Sequence, residues 1–393
     1  MEYKTLESLV NRKIGYGIVQ PGQSVSDGVP IIKVNNLIAG LHSKNELDVT
    51  TKENDEKYSR TRLEGGELIV SVVGTVGKTA IVPKKFQGCN LVRAVAMIDI
   101  RENWLAKWVK YYIDSPAGQA YIGQNLNTTV QATLNIKTLV DMPIPFLKEN
   151  EMRKIVAILE AIDKKIECNQ EINDNLEQQA QSYFQELFVD NASPEWTTGT
   201  ISDLGTVVGG STPSKSKPEY YTESGIAWIT PKDLSINKSK FVSHGENDIT
   251  ELGLKNSSAA IMPEGTVLFS SRAPIGYIAI AAGEVTTNQG FKSVVPKTEI
   301  GTPFVYFFLK NTLPVIEGMA SGSTFKEVSG STMKNVPAVI PDAETLAKFS
   351  DFCAPIFEQQ RTLEEQNQSL AKLRDSLLPK LMSGEIDVSA VQL

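Results

Sequence analysis

Three groups of residues have types and spacings that could do chemistry. Gly77-Lys78-Thr79 ends as a phosphate-binding loop ends, but such a loop needs a glycine five positions before Gly77, where Val72 stands. The equivalent stretch later in the chain, Gly276-Tyr277-Ile278, has neither Lys nor Thr. His42 and His244 are the only histidines. They stand in polar surroundings at non-equivalent places and read as surface residues, so a histidine triad or a zinc site has little to work with. The Asp and Glu residues form no paired-carboxylate motif, and the Asn/Asp-Pro-Pro-aromatic tetrapeptide of amino-methyltransferases is missing. The pattern points to a protein that is not an enzyme, with no metal and no cofactor bound by this chain.

The remaining polar clusters suit recognition. Reading base edges needs Arg or Lys for guanine, Asn or Gln for adenine, and Ser or Thr as adaptable partners. Loops on a rigid sheet can present them. In the first half of the chain the candidates are Ser71, Thr75, Lys78, Asn90 and Arg93, with Tyr16 as a stacking or wedging side chain. In the second half they are Thr212, Lys215, Lys217, Ser271, Arg272, Asn288, Gln289 and Lys292. Any one of them alone reads more readily as a solvated loop residue, and Tyr16 as a ring packed on its own domain. What singles them out is that they cluster at equivalent places in two repeats.

Those repeats are organised by the stretch 150–188, where Ile155, Leu159, Ile162, Ile166, Leu176, Ala180, Tyr183 and Leu187 recur at alternating spacings of three and four. This is one stripe of a long helix with coiled-coil periodicity. No Pro or Gly interrupts it, and at about 1.5 Å per residue it is roughly 57 Å long. A matching stripe returns 194 positions later as Phe349, Ile356, Leu370 and Leu381, with Leu363 also on the second helix's apolar stripe. Asn169, Asn173, Gln360 and Asn367 interrupt the seam with polar side chains, either to set register and orientation or to leave it open to partner helices.

The globular parts repeat as well. Gly28–Leu37, read as a strand, corresponds to Gly225–Leu234, and the strand-turn-strand stretch 64–82 corresponds to 264–277 and beyond. A short helix is expected over Thr5–Val10. Framework glycines recur while the polar residues between them differ, as in two modules with one scaffold and different targets. The expected domains are 1–147, a helix over 148–190, a second module over 196–341, a second helix over 342–382 and a tail over 383–393. The short linker Val189–Glu195 spans at most about 25 Å, too little to run back along a parallel helix. The expected fold is therefore α+β, with two β-rich modules separated by a long antiparallel two-helix coiled coil and related by a pseudo-two-fold axis.

Charge is distributed unevenly. The net charge is −7, yet the first module carries +3 and the second 0, so the acidity lies on the helices, at −6 and −4. The modules are thus permissive for DNA without being strongly basic. Cys89, Cys168 and Cys353 are isolated and lack metal-ligand spacing. With no signal peptide at MEYKTLESLV and no apolar run of membrane length, a cytoplasmic protein is expected.

Gly15-Tyr16-Gly17-Ile18-Val19-Gln20, Trp196 with Leu204-Gly205 and Gly209-Gly210-Ser211-Thr212-Pro213, the paired hairpins, and the ending Leu377–Ile386 occur in a characteristic order. In that order the chain resembles the specificity (S) subunit of type I restriction-modification enzymes. Unit one lacks the Trp-led opening and the Ser-Thr-Pro loop. The resemblance implies two target-recognition domains that each read half of a bipartite site in double-stranded DNA. It also implies helices that act as a spacer and dock two methyltransferase (M) subunits, joined in some systems by restriction (R) subunits. S-adenosylmethionine would belong to the methyltransferase. The competing reading is a coiled-coil scaffold with two protein-binding modules and no DNA role.

Overall fold

A computed structural model describes residues 2–127, 131–322 and 326–391. The chain forms two compact units, Met1–Lys165 with Ser369–Leu393, and Ile166–Gln368. The long helices Glu149–Gln185 and Ala343–Ser383 each contribute to both units. The first ends in a π-turn over Glu186–Asp190.

In the first unit, a four-stranded sheet runs Gly15–Tyr16, Val95–Ile98, Leu68–Ser71, Thr79–Ile81. The expected hairpin is there, with Leu68 opposite Ile81 and Val70 opposite Thr79. The two central strands are buried on both faces, so they read as continuous apolar runs rather than alternating ones. A second, three-stranded sheet orders Asp48–Thr50, Val29–Ile32 and Asn90–Leu91. The helix Asn103–Asp114 covers the core with Trp108 fully buried. Against it pack Met152, Ile155, Val156 and Leu159 of the first long helix and Leu378, Leu381 and Met382 of the second. Arg374 pairs with Asp163 at 2.9 Å, and Lys154 Nζ donates to the Ser389 carbonyl at 2.7 Å. The two helical stretches are therefore antiparallel in this unit.

The second unit repeats this build. Its five-stranded sheet orders Gly205–Gly209, Lys292–Pro296, Val267–Ser271, Ile275–Ala281 and Phe241–Val242. A four-stranded sheet orders Tyr221–Thr222, Asn247–Ile249, Ile226–Ile229 and Thr286–Thr287. The helix Thr302–Met319 packs Phe304 and Phe307 on Phe184 and Phe349. The helical stretches are again antiparallel, because Asn169 meets Asn367 while Asn173 meets Gln360.

Two local expectations are corrected. The segment 28–37 is a strand only over Val29–Ile32 and then a helix over Val34–Ala39. The backbone N–H of Lys33 donates to the Asn36 side chain at 2.8 Å, which turns the chain into the helix. Thr230 and Asp233 form the corresponding capping box in the second unit. Thr5–Val10 is not an α-helix. Glu2–Thr5 pairs with Pro143–Phe146, and only Leu6–Leu9 coils, as one 3-10 turn. The strand is decided by a partner some 140 positions away, which local propensity does not reveal.

Of the stripe residues, Ile155, Leu159, Phe349, Ile356, Leu363 and Leu381 are buried. Ile162, Ile166, Leu176 and Leu370 are only half-buried. Phe184, which the heptad reading passed over, is 2 % exposed and makes aromatic contacts with Phe188, Phe304, Phe307 and Phe349.

Candidate nucleic-acid interface

In each unit the candidate residues collect at one end of the larger sheet, and a glycine is what lets them meet. Gly17 lies so close to the next strand that a Cβ there would sit 1.9 Å from the Leu91 carbonyl oxygen. A Cβ on Gly210 would sit 1.9 Å from the Asn288 carbonyl oxygen. Only glycine permits a backbone crossing this tight. The loops that follow are tied down beyond the crossing, by Ile18 N to Leu91 O at 2.7 Å and by Ser211 N to Thr287 O at 2.8 Å.

In the first unit, Arg93 N donates to Ile18 O at 2.7 Å and Val72 N to Ala94 O at 2.8 Å. The Gly15–Ile18 loop, Arg93 and the hairpin turn 72–78 therefore share one rim. Tyr16, Thr75, Lys78 and Arg93 are exposed there, and neither cation makes an ion pair among the described residues. Ser71 and Asn90 have to be withdrawn as reading residues, because both are fully buried. Ser71 Oγ accepts the Lys78 N–H at 2.9 Å and so shapes the hairpin turn. Asn90 Nδ2 donates to Asp55 at 2.7 Å, and Asn90 Oδ1 accepts from Thr61 Oγ1 and from the Leu91 N–H, each at 2.8 Å. Asp55 in turn holds Arg62. A buried amide saturated in this way is framework.

In the second unit, Thr212, Lys215, Asn288 and Gln289 line one concavity of about 530 Å³ together with Tyr221, Trp228, Thr230, Pro231, Lys232, Glu246 and Asn247. Thr212 Oγ1 is hydrogen-bonded to Gln289 Oε1. Trp228 Nε1 donates to Ser211 O at 3.0 Å and Tyr221 OH to Pro213 O at 2.6 Å. Two aromatic rings thus hold the loop in place from beneath. Lys215 and Lys217 are exposed and make no ion pair among the described residues. Lys217 lies 5.3 Å from the centre of the Tyr220 ring.

Ser271 is likewise withdrawn, since it is fully buried and donates to Gly290 O at 3.0 Å. Arg272 and Lys292 both face Glu327, at 3.5 and 3.9 Å. Burial pushes the Lys292 ammonium below its ordinary range, and Glu327 only partly offsets this. These two cations are committed to a carboxylate, whereas Lys215 and Lys217 are not.

Tyr221, Trp228, Lys232 and Asn247 were not singled out from the sequence. Trp228 lies within the repeated segment 225–234, which was a usable signal. Asn247 reaches the rim only through the pairing of its strand with Ile226–Trp228, and nothing local marks it. His42 and His244 are exposed. His42 Nε2 meets the Ala39 carbonyl at 2.8 Å and His244 Nδ1 meets Asp248 at 3.1 Å. Among the described residues no cluster of His, Cys, Asp or Glu could hold a metal ion.

The family model for the type I restriction modification DNA specificity domain matches residues 2–178 and again 194–372. The chain belongs to that family and carries the domain twice. Over 192 residues it is 38% identical to the type I restriction enzyme MjaIX specificity subunit of Methanocaldococcus jannaschii, a match covering 48% of this chain and 44% of that one. It therefore spans under half the length of that relative. It is 24% identical over 334 residues to the HindI specificity subunit of Haemophilus influenzae, covering 66% and 72% of the two chains. Its fold is similar to the crystal structure of a type I restriction-modification system S subunit from M. genitalium, with a TM-score of 0.56 at 17% identity over 96% of this chain and 95% of that one.

Proposed function

We propose that this chain is the DNA sequence-specificity subunit of a type I restriction-modification complex and is itself non-catalytic. Residues 1–147 and 196–341 act as two target-recognition domains, each reading one half of a bipartite site in double-stranded DNA. The helical segments 148–190 and 342–382 set the gap between half-sites and dock two methyltransferase subunits, with restriction subunits joining where the system encodes them. S-adenosylmethionine binds to the methyltransferase, and the complex works in the cytoplasm. Among the described residues no helix is long and apolar enough to cross a membrane.

One observation carries this reading. Two copies of a DNA specificity domain gather exposed polar and cationic loop residues at the same end of equivalent sheets, and those residues differ between the copies. Equivalent scaffolds with different rims suit two unlike half-sites. Lys78, Arg93, Lys215 and Lys217 are available for phosphate contacts, which position the duplex, while shorter polar side chains on the rims meet base edges.

The test is co-expression with the methyltransferase encoded beside it, followed by single-molecule mapping of methylated adenines. Two short half-sites with a fixed gap are expected. A purified complex that methylates no defined sequence would refute the proposal.

A further inference from the structure

We propose that the second unit reads an adenine through the side-chain amide of Gln289, with Thr212 as the residue that positions that amide. This rests on the DNA-reading function proposed above and adds the base class and the residue to it.

Adenine presents an acceptor and a donor side by side in the major groove, and one planar amide matches both. Gln289 is the exposed residue of a turn whose neighbours are immobilised. Asn288 N donates to Ile229 O at 3.0 Å and Phe291 N to Asn288 O at 3.2 Å. Gly290 N donates to Asn288 Oδ1 at 2.8 Å, and Gly290 O accepts from both the backbone N–H and the hydroxyl of Ser271. Asn288 Oδ1 is thus engaged inside the turn, and the exposed Gln289 side chain projects from a rigid base.

The hydrogen bond from Thr212 Oγ1 to Gln289 Oε1 tethers the amide. Nε2 keeps both of its protons unpaired among the described residues, and Oε1 keeps a second lone pair. That is the donor–acceptor pair adenine needs. Thr212 is itself pre-placed by the bonds at Ser211 and Pro213 to Trp228 and Tyr221, so the pair is organised before DNA arrives. The concavity it lines is about 530 Å³, and Lys215 at its edge is free for a phosphate.

The competing readers at this rim are less available. Arg272 and Lys292 would select guanine, but both face Glu327, and the Lys292 side chain is 16% exposed. In the first unit the counterpart of Gln289 is Arg93, because Val92 N donates to Ile32 O as Asn288 N does to Ile229 O, and Val72 N to Ala94 O as Ser271 N does to Gly290 O; a guanidinium suits guanine rather than adenine. The device therefore belongs to the second unit alone.

The experiment maps methylated motifs for the full chain co-expressed with its methyltransferase, as wild type and with Gln289→Ala, Thr212→Val and Thr212→Ser. For wild type, an A·T pair is expected in the half-site that changes when residues 196–341 are exchanged. Gln289→Ala should make that one position degenerate, with discrimination falling about tenfold or more, while the other half-site and the gap stay as they were. Thr212→Val should loosen the same position, and Thr212→Ser should keep it. A Gln289→Ala motif identical to wild type, or one relaxed at a G·C position, would overturn the assignment. If Gln289→Ala abolishes methylation altogether, Thr212→Val decides: loosening at one A·T position upholds the assignment and an unchanged motif overturns it. Absence of any motif for wild type would instead defeat the DNA-reading function on which the assignment rests.

Discussion

Lys240 Nζ lies 2.8 Å from Glu177 Oε2, with the lysine side chain only 6% exposed. Lys240 precedes the edge strand Phe241–Val242, and Glu177 belongs to the first long helix. Around them Lys240 donates to Gln360 Oε1 at 2.9 Å and lies 3.5 Å from the centre of the Phe357 ring, while Glu177 also meets Lys310 and the Tyr306 hydroxyl. The sheet of the second unit is thereby fastened to its helices through a buried charge. The first unit fastens its covering helix differently, with Lys107 to Glu160 and Tyr111 to Asp163.

Removing the carboxylate should be costly. Glu177→Gln leaves the Lys240 ammonium buried without its counter-charge, and breaking a buried pair from one side costs about 3–5 kcal/mol. Lys240→Met should cost less, because Glu177 keeps Lys310 and the new side chain can fill the aromatic slot. Urea midpoints of the two variants measure the order; equal losses would show that the pair itself is not what holds the sheet.

The same pair should shape the pH profile. Burial alone would raise the Glu177 carboxyl, but Lys240 and Lys310 outweigh it and hold it at about 2. Its contribution is thus fully present above the ordinary value of 4.5 and is lost as pH falls towards 2. Burial depresses Lys240 to about 8 against the pull of Glu177. The unfolded state then binds more protons between about 8 and the ordinary 10.5, so this group makes stability rise with pH over that window. The stability gap between wild type and Glu177→Gln should be widest between pH 4.5 and 8 and should close on acidification. A gap that stays constant down to pH 2 would contradict this.

Asn169 is fully buried in the helical seam. Its Nδ2 donates to Asn367 Oδ1 at 2.8 Å, while its own Oδ1 has no hydrogen-bond partner among the described residues. An unmet buried acceptor costs about 1–3 kcal/mol. Replacing both residues, Asn169→Leu with Asn367→Leu, should therefore raise the urea midpoint by an amount equivalent to about 1 kcal/mol or more, at the expense of a polar pair that specifies helix register. A lowered midpoint would mean that the amide pair is net stabilising.

Gly210→Ala places a methyl 1.9 Å from the Asn288 carbonyl oxygen and 2.5 Å from that of Thr287. Overpacking of this kind costs about 1–3 kcal/mol and must displace the Ser211–Pro213 loop from Gln289. Under the proposed function, the half-site read by the second unit should blur while the other half-site is retained. Methylome mapping of the variant shows whether only one half is affected; equal damage to both would argue against separate readers.

Lengthening both long helices by one turn, about four residues each, should change the gap between half-sites and leave the half-sites themselves intact. A mapped motif with an unaltered gap would remove the helices from any role in spacing.

Sequence periodicity determined a great deal on its own. The two long helices, the internal repeat, the hairpin at 68–81 and the absence of a catalytic constellation follow from local spacing and residue type, because helix period and glycine turns act over a few residues. Tertiary structure decided what depends on distant partners. The strand at Glu2–Thr5 needs Pro143–Phe146, and Asn90 is spent on Asp55 and Thr61 rather than exposed on the rim. Lys240 becomes a buried clamp only when Glu177 and Gln360 arrive from two different helices. A polar side chain's role depends on whether its hydrogen bonds are met by protein or left for a ligand, and that is settled by packing between residues far apart in the chain.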